Sequence, residues 1–233
     1  MKINTDLIKN KKFTSPIDAT LLKHSQEYRV LATLRHLYPN SFEAMTTGES
    51  PDLQDSMNEM GIEVTCAVAE NDMRASRAFS QLHQESPLNS QKHLKTILSS
   101  GHSVIHLKGK NIAISTAGTS DGEKYIFQEA IRRKLKKLGQ YQAKFKKVGL
   151  AIILPEIPTS YAENHFHEWV AEIFKNSEIV FDFFFVISHR FCICVEDNAF
   201  EKRAITSDEH KLLSTIARMT AEGELSLTST EWL

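Results

Sequence analysis

The sequence predicts an α/β protein with a mixed sheet covered by helices, and three features of its 233 residues point there. Gly149-Leu150-Ala151-Ile152-Ile153-Leu154 is a continuous apolar run, the pattern of a strand buried on both faces. Ile179–Ile187 gives a second strong strand signal, interrupted only by Asp182. Around these runs lie segments whose apolar residues recur at helical spacing, so strands and helices alternate along the chain.

Residues 1–17 are lysine-rich with little periodicity and read as an arm or a frayed start. No internal repeat, low-complexity tract or Pro/Gly-rich linker divides residues 18–233, which read as a single domain. The first helix carries Leu31, Leu34 and Tyr38 on one stripe and is stopped by Pro39-Asn40. One turn back, the same stripe reaches Glu27. A buried carboxylate is costly unless it is paired or metal-bound, so Glu27 either lies in a hydrated first turn or belongs to a site. Extended segments at Phe42–Met45 and Gly61–Val68 flank a polar turn through Thr46-Thr47-Gly48-Glu49-Ser50.

Asn71 can cap a helix running to about His83. A second helix around Ser90–Ser100 carries Leu94, Ile97 and Leu98 and ends at Gly101. Val104–Leu107 and Asn111–Ser115 read as a hairpin turning at Lys108-Gly109-Lys110. A basic helix is predicted over about Glu123–Tyr141, with Phe127, Ile131, Leu135 and Leu138 as its apolar stripe. A helix near Glu163–Phe174 separates the two strong strands, and Arg190–Val195 continues as a hairpin partner or an extension. Thr206-Ser207-Asp208-Glu209 reads as a capping box, opening a last helix with Leu213, Ile216 and Met219 inward.

Hydrophobic residues at 41% and charged residues at 24% suit an ordinary globular core. The net charge of −1 gives no general attraction to nucleic acid, but it averages over a strong asymmetry. From Phe42 to Met73 there are eight acids and no Lys or Arg; from Ala130 to Leu154 there are eight bases and no acid. A segment able to hold metal beside one able to hold phosphate is what a nuclease needs. Two solvated faces of opposite sign would give the same composition.

Other chemistries find little support. Cys66, Cys192 and Cys194 form no Cys-x-x-Cys and no disulfide framework, and Cys192 and Cys194 alternate onto one side of a strand. His165 and His167 stand two apart on a predicted helix and do not share a face, which argues against zinc. Gly118-Thr119-Ser120-Asp121-Gly122-Glu123-Lys124 lacks the spacing of a phosphate loop. There is no nucleophilic-serine elbow and no Gly-x-Gly-x-x-Gly. The longest apolar run is too short to span a bilayer, no secretory signal follows the early lysines, and the cytoplasm is the expected location.

The pointed chemistry lies in Pro51-Asp52-Leu53 and Gly61-Ile62-Glu63-Val64-Thr65. Two carboxylates eleven residues apart, on strands lying side by side, can share one divalent metal. The backbone carbonyl of Val64 can supply a third oxygen. Mg²⁺ or Mn²⁺ held there would activate water and neutralise charge at a scissile phosphate, with a nearby lysine to hold that water.

These residues resemble the PD-(D/E)xK, restriction-endonuclease-like nuclease superfamily, in its subgroup with an Ile-Glu-Val-Thr strand. The likeness extends to the basic segment Ala130–Tyr141, to the apolar strand Leu150–Leu154 and to Phe181–Ser188, and so covers about residues 20 to 195. The resemblance implies a restriction-endonuclease-like mixed central sheet flanked by helices, and a metal-dependent endonuclease acting on DNA in phage defence or DNA processing. The subgroup's usual lysine, two residues after the acid, is Thr65 here, which becomes a polar neighbour. Some members place the lysine on a nearby helix; Lys134 is the first candidate and Lys137 the second. Glu27 resembles the first-helix acid that many members add as a further or water-mediated ligand. Arg132, Arg133, Lys137 and Lys144 would serve the phosphate track. A homodimer or an activating protein partner is compatible with this reading and required by nothing in it. The rival is a catalytically inactive module of the same fold that binds nucleic acid or a partner protein.

Overall fold

The computed structural model of the protein describes residues 8, 10–14, 17–82, 87–107, 110–115, 120–155, 158–175, 177–197 and 199–226. Residues 1–7, 9, 15 and 16 of the expected arm, the turn residues Lys108 and Gly109, and His83 at the expected end of a helix lie outside the described residues.

Helix α1 (Ala19–Leu37) starts where Asp18 Oδ1 accepts the Thr20 amide at 2.7 Å, satisfying one of the free amides of its first turn. Strands β1 (Thr46–Thr47), β2 (Leu53–Asp55) and β3 (Met60–Cys66) follow. Helices α2 (Glu70–Leu82) and α3 (Pro87–Ser99) pack on each other and on the hairpin β4 (Ser103–Leu107) and β5 (Lys110–Ser115). The chain then runs through α4 (Ser120–Leu135), α5 (Leu138–Gln142), β6 (Lys147–Ile153), α6 (Ser160–Phe174), β7 (Phe183–Ile187), β8 (Phe191–Glu196), β9 (Ala199–Ala204) and α7 (Ser207–Ala221).

The result is a mixed α/β fold: a seven-stranded sheet in the order β1-β2-β3-β6-β7-β8-β9, flanked by helices. The β3–β6 and β6–β7 pairs are parallel and the other four are antiparallel. The β4–β5 hairpin forms a separate small sheet. Two cores sandwich the large sheet. Ile62, Val64, Ala151, Ile153, Phe183 and Phe185 meet Val30, Leu31 and Leu34 of α1 and Leu213 and Ile216 of α7. Leu150, Ile152, Phe184 and Val186 meet Phe127 and Ile131 of α4, Leu138 and Tyr141 of α5, and Phe166 and Trp169 of α6. Within the expected arm, Ile8 is buried in the first core and Phe13 lies under the Arg218 guanidinium of α7, 3.8 Å from its carbon. Among the described residues no helix is long and apolar enough to cross a membrane.

Five local differences separate the structure from the sequence expectation. Phe42–Met45 is not a strand: the Arg35 guanidinium takes the carbonyls of Phe42, Glu43 and Met45 at 3.3, 3.0 and 2.7 Å. Thr46 and Thr47, expected in a turn, pair with Gln54 and Leu53. The basic helix divides after Leu135, where the Lys137 amide closes a tight turn onto the Lys134 carbonyl. Strand β7 begins at Phe183, because Asp182 Oδ2 accepts the Val148 amide at 2.7 Å, and Ile179 and Val180 are exposed. Strand β9, too polar and exposed to show a period, was not expected at all.

The capping box forms as its spacing predicts. Glu209 receives the Thr206 amide and hydroxyl, both at 2.7 Å, and its own amide donates to the Thr206 hydroxyl. The Thr206 hydroxyl, then its amide, then His36 hold the Glu209 carboxyl down at about 2, against an ordinary 4.5. A depressed carboxyl stabilises the fold above its unfolded value, and that contribution is lost as pH falls through the folded value. Urea midpoints measured from pH 4.5 down to about 2 should therefore fall less steeply in Glu209→Gln than in the native protein.

Packing yields a second prediction. A Cβ on Gly149 would stand 2.1 Å from Phe183 Cε2, whereas one on Gly139 meets nothing within 4 Å. Gly149→Ala should cost about 2 kcal/mol through overpacking. Gly139→Ala, in α5, should be stabilising by up to about 1 kcal/mol, both read by urea denaturation.

Candidate functional site

The β2–β3 hairpin brings the two motif carboxylates together. Leu53 pairs with Ile62, and extending that antiparallel register by one residue sets Asp52 opposite Glu63, on one face of the sheet. The turn is tied by Asp55, whose carboxylate accepts the Met57 and Asn58 amides at 3.0 Å and the Asn58 side chain at 2.7 Å. Asp55 is therefore a turn former and not a further ligand. Asp52 is fixed from behind. The Gly48 amide donates to its carbonyl at 2.8 Å, and Pro51 lies so close to β3 that a Cβ on Gly61 would stand 2.4 Å from its Cγ.

Both acids are buried: Asp52 is 2% exposed and Glu63 4%. Asp52 Oδ2 accepts the Val64 backbone amide at 2.8 Å, which spends one lone pair locking the side chain in place. Lys134, at the end of α4, brings its Nζ to 2.5 Å from Glu63 Oε1 and 3.9 Å from Asp52 Oδ2. From the other side, Lys23 Nζ lies 3.0 Å from Asp52 Oδ1 and 3.0 Å from Glu27 Oε1. Glu27 is 2% exposed; its Oε2 meets His24 Nδ1 at 3.0 Å, while its Oε1 faces the Lys23 ammonium. The cluster thus alternates in sign, Glu27–Lys23–Asp52–Lys134–Glu63, which is how buried charges offset their lost hydration. Burial alone would lower the Lys23 ammonium, but its bonds to Glu27 and Asp52 outweigh burial and raise it.

The donor set is of the kind that suits a hard cation, carboxylate oxygens without cysteine. Among the described residues no three His, Cys, Asp or Glu side chains group tightly enough to cage an ion by themselves. One or two carboxylates completed by water and substrate is the usual magnesium arrangement.

The remaining sequence candidates scatter. Thr65 is buried two residues along β3 from Glu63. Val64 contributes its amide to Asp52 and its side chain to the opposite core. Arg132 is occupied by Glu129 and Gln128 at 2.9 and 3.2 Å. Arg133 is exposed, close enough to Cys66 to act on its thiol. Lys137 and Lys144 are exposed, with no ion-pair partner among the described residues. Lys146 and Lys147 of the basic run are taken by Glu59 and Glu196.

Two members of the cluster escaped sequence reasoning. Lys23 precedes Glu27 by four residues, a spacing that puts both on one helix face and could have revealed it. Tyr141 is buried beside Glu63; burial, then the Glu63 and Asp52 charges, raise its phenol above the ordinary value. Its approach depends on the break between α4 and α5, for which the sequence carries no plain signal. Compared with protein-family models, with curated proteins and with solved structures, the chain matches none.

Removing Lys134 leaves the buried Glu63 without a cation, while Asp52 keeps Lys23. Lys134→Ala should destabilise the fold by about 3 kcal/mol, and Lys23→Ala, whose ammonium is largely exposed, by about 1 kcal/mol or less. Combining Lys134→Ala with Glu63→Gln should recover part of the loss, which a double-mutant cycle in urea measures.

Proposed function

We propose that this chain is a divalent-metal-dependent nuclease of the restriction-endonuclease-like fold, hydrolysing phosphodiester bonds in DNA. The observation that carries the reading is the meeting of Asp52, Glu63 and Lys134, which come from β2–β3 and from a helix seventy residues further on. A strand acid with its lysine moved to a helix is what the sequence resemblance implies for a subgroup with Thr65 in the usual lysine place. A mixed sheet with helices on both faces is compatible with that family.

Asp52 and Glu63 would hold Mg²⁺ or Mn²⁺, with Glu27 as a further or water-mediated ligand and the Val64 carbonyl as a third oxygen. When bound, such an ion supplies an activated water and neutralises charge on the scissile phosphate. Lys134 donates to the same space, where its ammonium can hold the attacking water or a phosphate oxygen. The Val64 amide keeps Asp52 from rotating away, and Lys134 holds Glu63 toward the cluster. Lys137, Lys144 and Arg133 offer charges to the DNA backbone beyond it, a contact that weakens with salt. Arg132 contributes less, because Glu129 and Gln128 already engage it.

The competing reading is an inactive module of the same fold that binds nucleic acid or a partner. It is favoured by one observation: Lys23 and Lys134 already neutralise the carboxylates. Cleavage of single- and double-stranded DNA with Mg²⁺ or Mn²⁺ separates the two. The nuclease loses activity about 100-fold or more in both Glu63→Ala and Lys134→Ala. Native protein that binds DNA but does not cut it under any of these conditions would establish the inactive module.

A further inference from the structure

A second polar group, unused by the chemistry above, lies where α1, α7 and the ends of β3 and β7 meet. Arg29 of α1 is half-buried and lies with its Nη2 3.0 Å from His210 Nε2 of α7. His210 stacks on His189, which follows β7, with ring centroids 4.4 Å apart and planes at 28°. Ser214 Oγ lies 3.4 Å from the same His210 nitrogen. His189 Nδ1 is buried and has no hydrogen-bond partner among the described residues.

The charge balance of this group is incomplete. A guanidinium withdrawn from water ordinarily keeps a carboxylate beside it, yet among the described residues none pairs with Arg29. Its partner is a ring nitrogen that can accept the bond only while unprotonated. Burial, then Arg29, then His189 hold His210 down at about 4, and burial followed by Arg29 and Arg190 lowers His189. Arg190 adds charge of the same sign, and its contact with Glu163 is long at 3.8 Å. Cys66, the other group facing Arg29, has its thiol pushed up by burial to about 11 and offers no anion at neutral pH. No described residue supplies the missing negative charge.

We propose that Arg29, His189 and His210 form a subsite for a phosphate group. The planar fork of an arginine matches phosphate oxygens, and His189 Nδ1 is a polar atom without a partner among the described residues. The place suits a nucleic-acid strand: Cys66 stands three residues after Glu63, about 10 Å along β3, with Glu63 on one face of the sheet and Cys66 on the other. A backbone crossing the end of β3 could reach the carboxylate cluster and this subsite together. As a contact to nucleic acid the subsite rests on the nuclease reading; as a phosphate site it does not.

The test uses the whole chain in EDTA, so that no metal-dependent cleavage intervenes. Histidine Cε1 proton resonances, assigned through His189→Gln and His210→Gln, are followed by NMR as inorganic phosphate replaces chloride at constant ionic strength. Both resonances should move saturably, and Arg29→Gln should weaken the apparent affinity about tenfold or more. Arg29→Lys keeps the charge without the fork, should also weaken binding, and serves if Arg29→Gln does not fold. Competition with 5′-phosphorylated and 5′-hydroxyl DNA oligonucleotides then gives the source: displacement points to phosphates of a strand, and none points to a free phosphate compound. Absence of saturable movement, or movement equal in native and Arg29→Lys protein, would overturn the subsite and leave Arg29 as a tie between α1 and α7. That failure leaves metal-dependent cleavage lost in Glu63→Ala untouched, so the two readings fall separately.

Discussion

Strand β6 sets the terms for the rest of the molecule. Its residues feed two cores in alternation, Ala151 and Ile153 on one side and Leu150 and Ile152 on the other. With every position from Val148 to Ile153 buried, helices must lie on both faces. That requirement seats α1 above the sheet and α4 below it. Each of these helices delivers a lysine to the carboxylates that β2 and β3 carry, so the site exists because the central strand had to be covered twice. Gly149 belongs to the same constraint, since the Phe183 ring occupies the space where its Cβ would stand.

Burying three carboxylates works against stability unless something offsets the lost hydration, and several kcal/mol per ion is the usual scale. The chain meets that cost with alternating lysines and a backbone amide instead of apolar side chains. Apolar residues of similar volume often stabilise a core better than an ion pair does. Retaining Glu27, Asp52 and Glu63 in this setting is therefore hard to attribute to folding alone, which is the physical reason to look for chemistry there.

What could be read from the sequence followed from periodicity and local spacing. Leu31, Leu34 and Tyr38 located α1, Thr206 and Glu209 located the start of α7, and the apolar run at 149–154 located β6 with its two-sided burial. Asp52 and Glu63 were legible because a short hairpin separates them, and Lys134 because it stands at the edge of the Phe127–Ile131 stripe. The remainder depends on contacts between distant segments. Arg35 drawing three carbonyls away from a ladder, Tyr141 reaching Glu63 after a helix break, and Arg29 meeting His210 across 181 positions leave no trace in local pattern. Strand β9 was hidden for another reason: an exposed edge strand has no buried face to impose a period.

That edge strand bears on how copies of the chain can meet. A sheet grows when a free edge offers its amides and carbonyls to another strand. Here one edge is β1, two residues long, too short to hold an added strand. The other edge, β9, carries Glu201, Lys202 and Arg203 in succession, with Lys202 drawn to Glu163 and Arg203 to Glu201 and the Leu37 carbonyl. An incoming strand would have to disturb this row of paired charges to gain its first bonds. One margin is thus guarded by its shortness and the other by its charge, two of the means by which open sheets discourage edge-to-edge pairing.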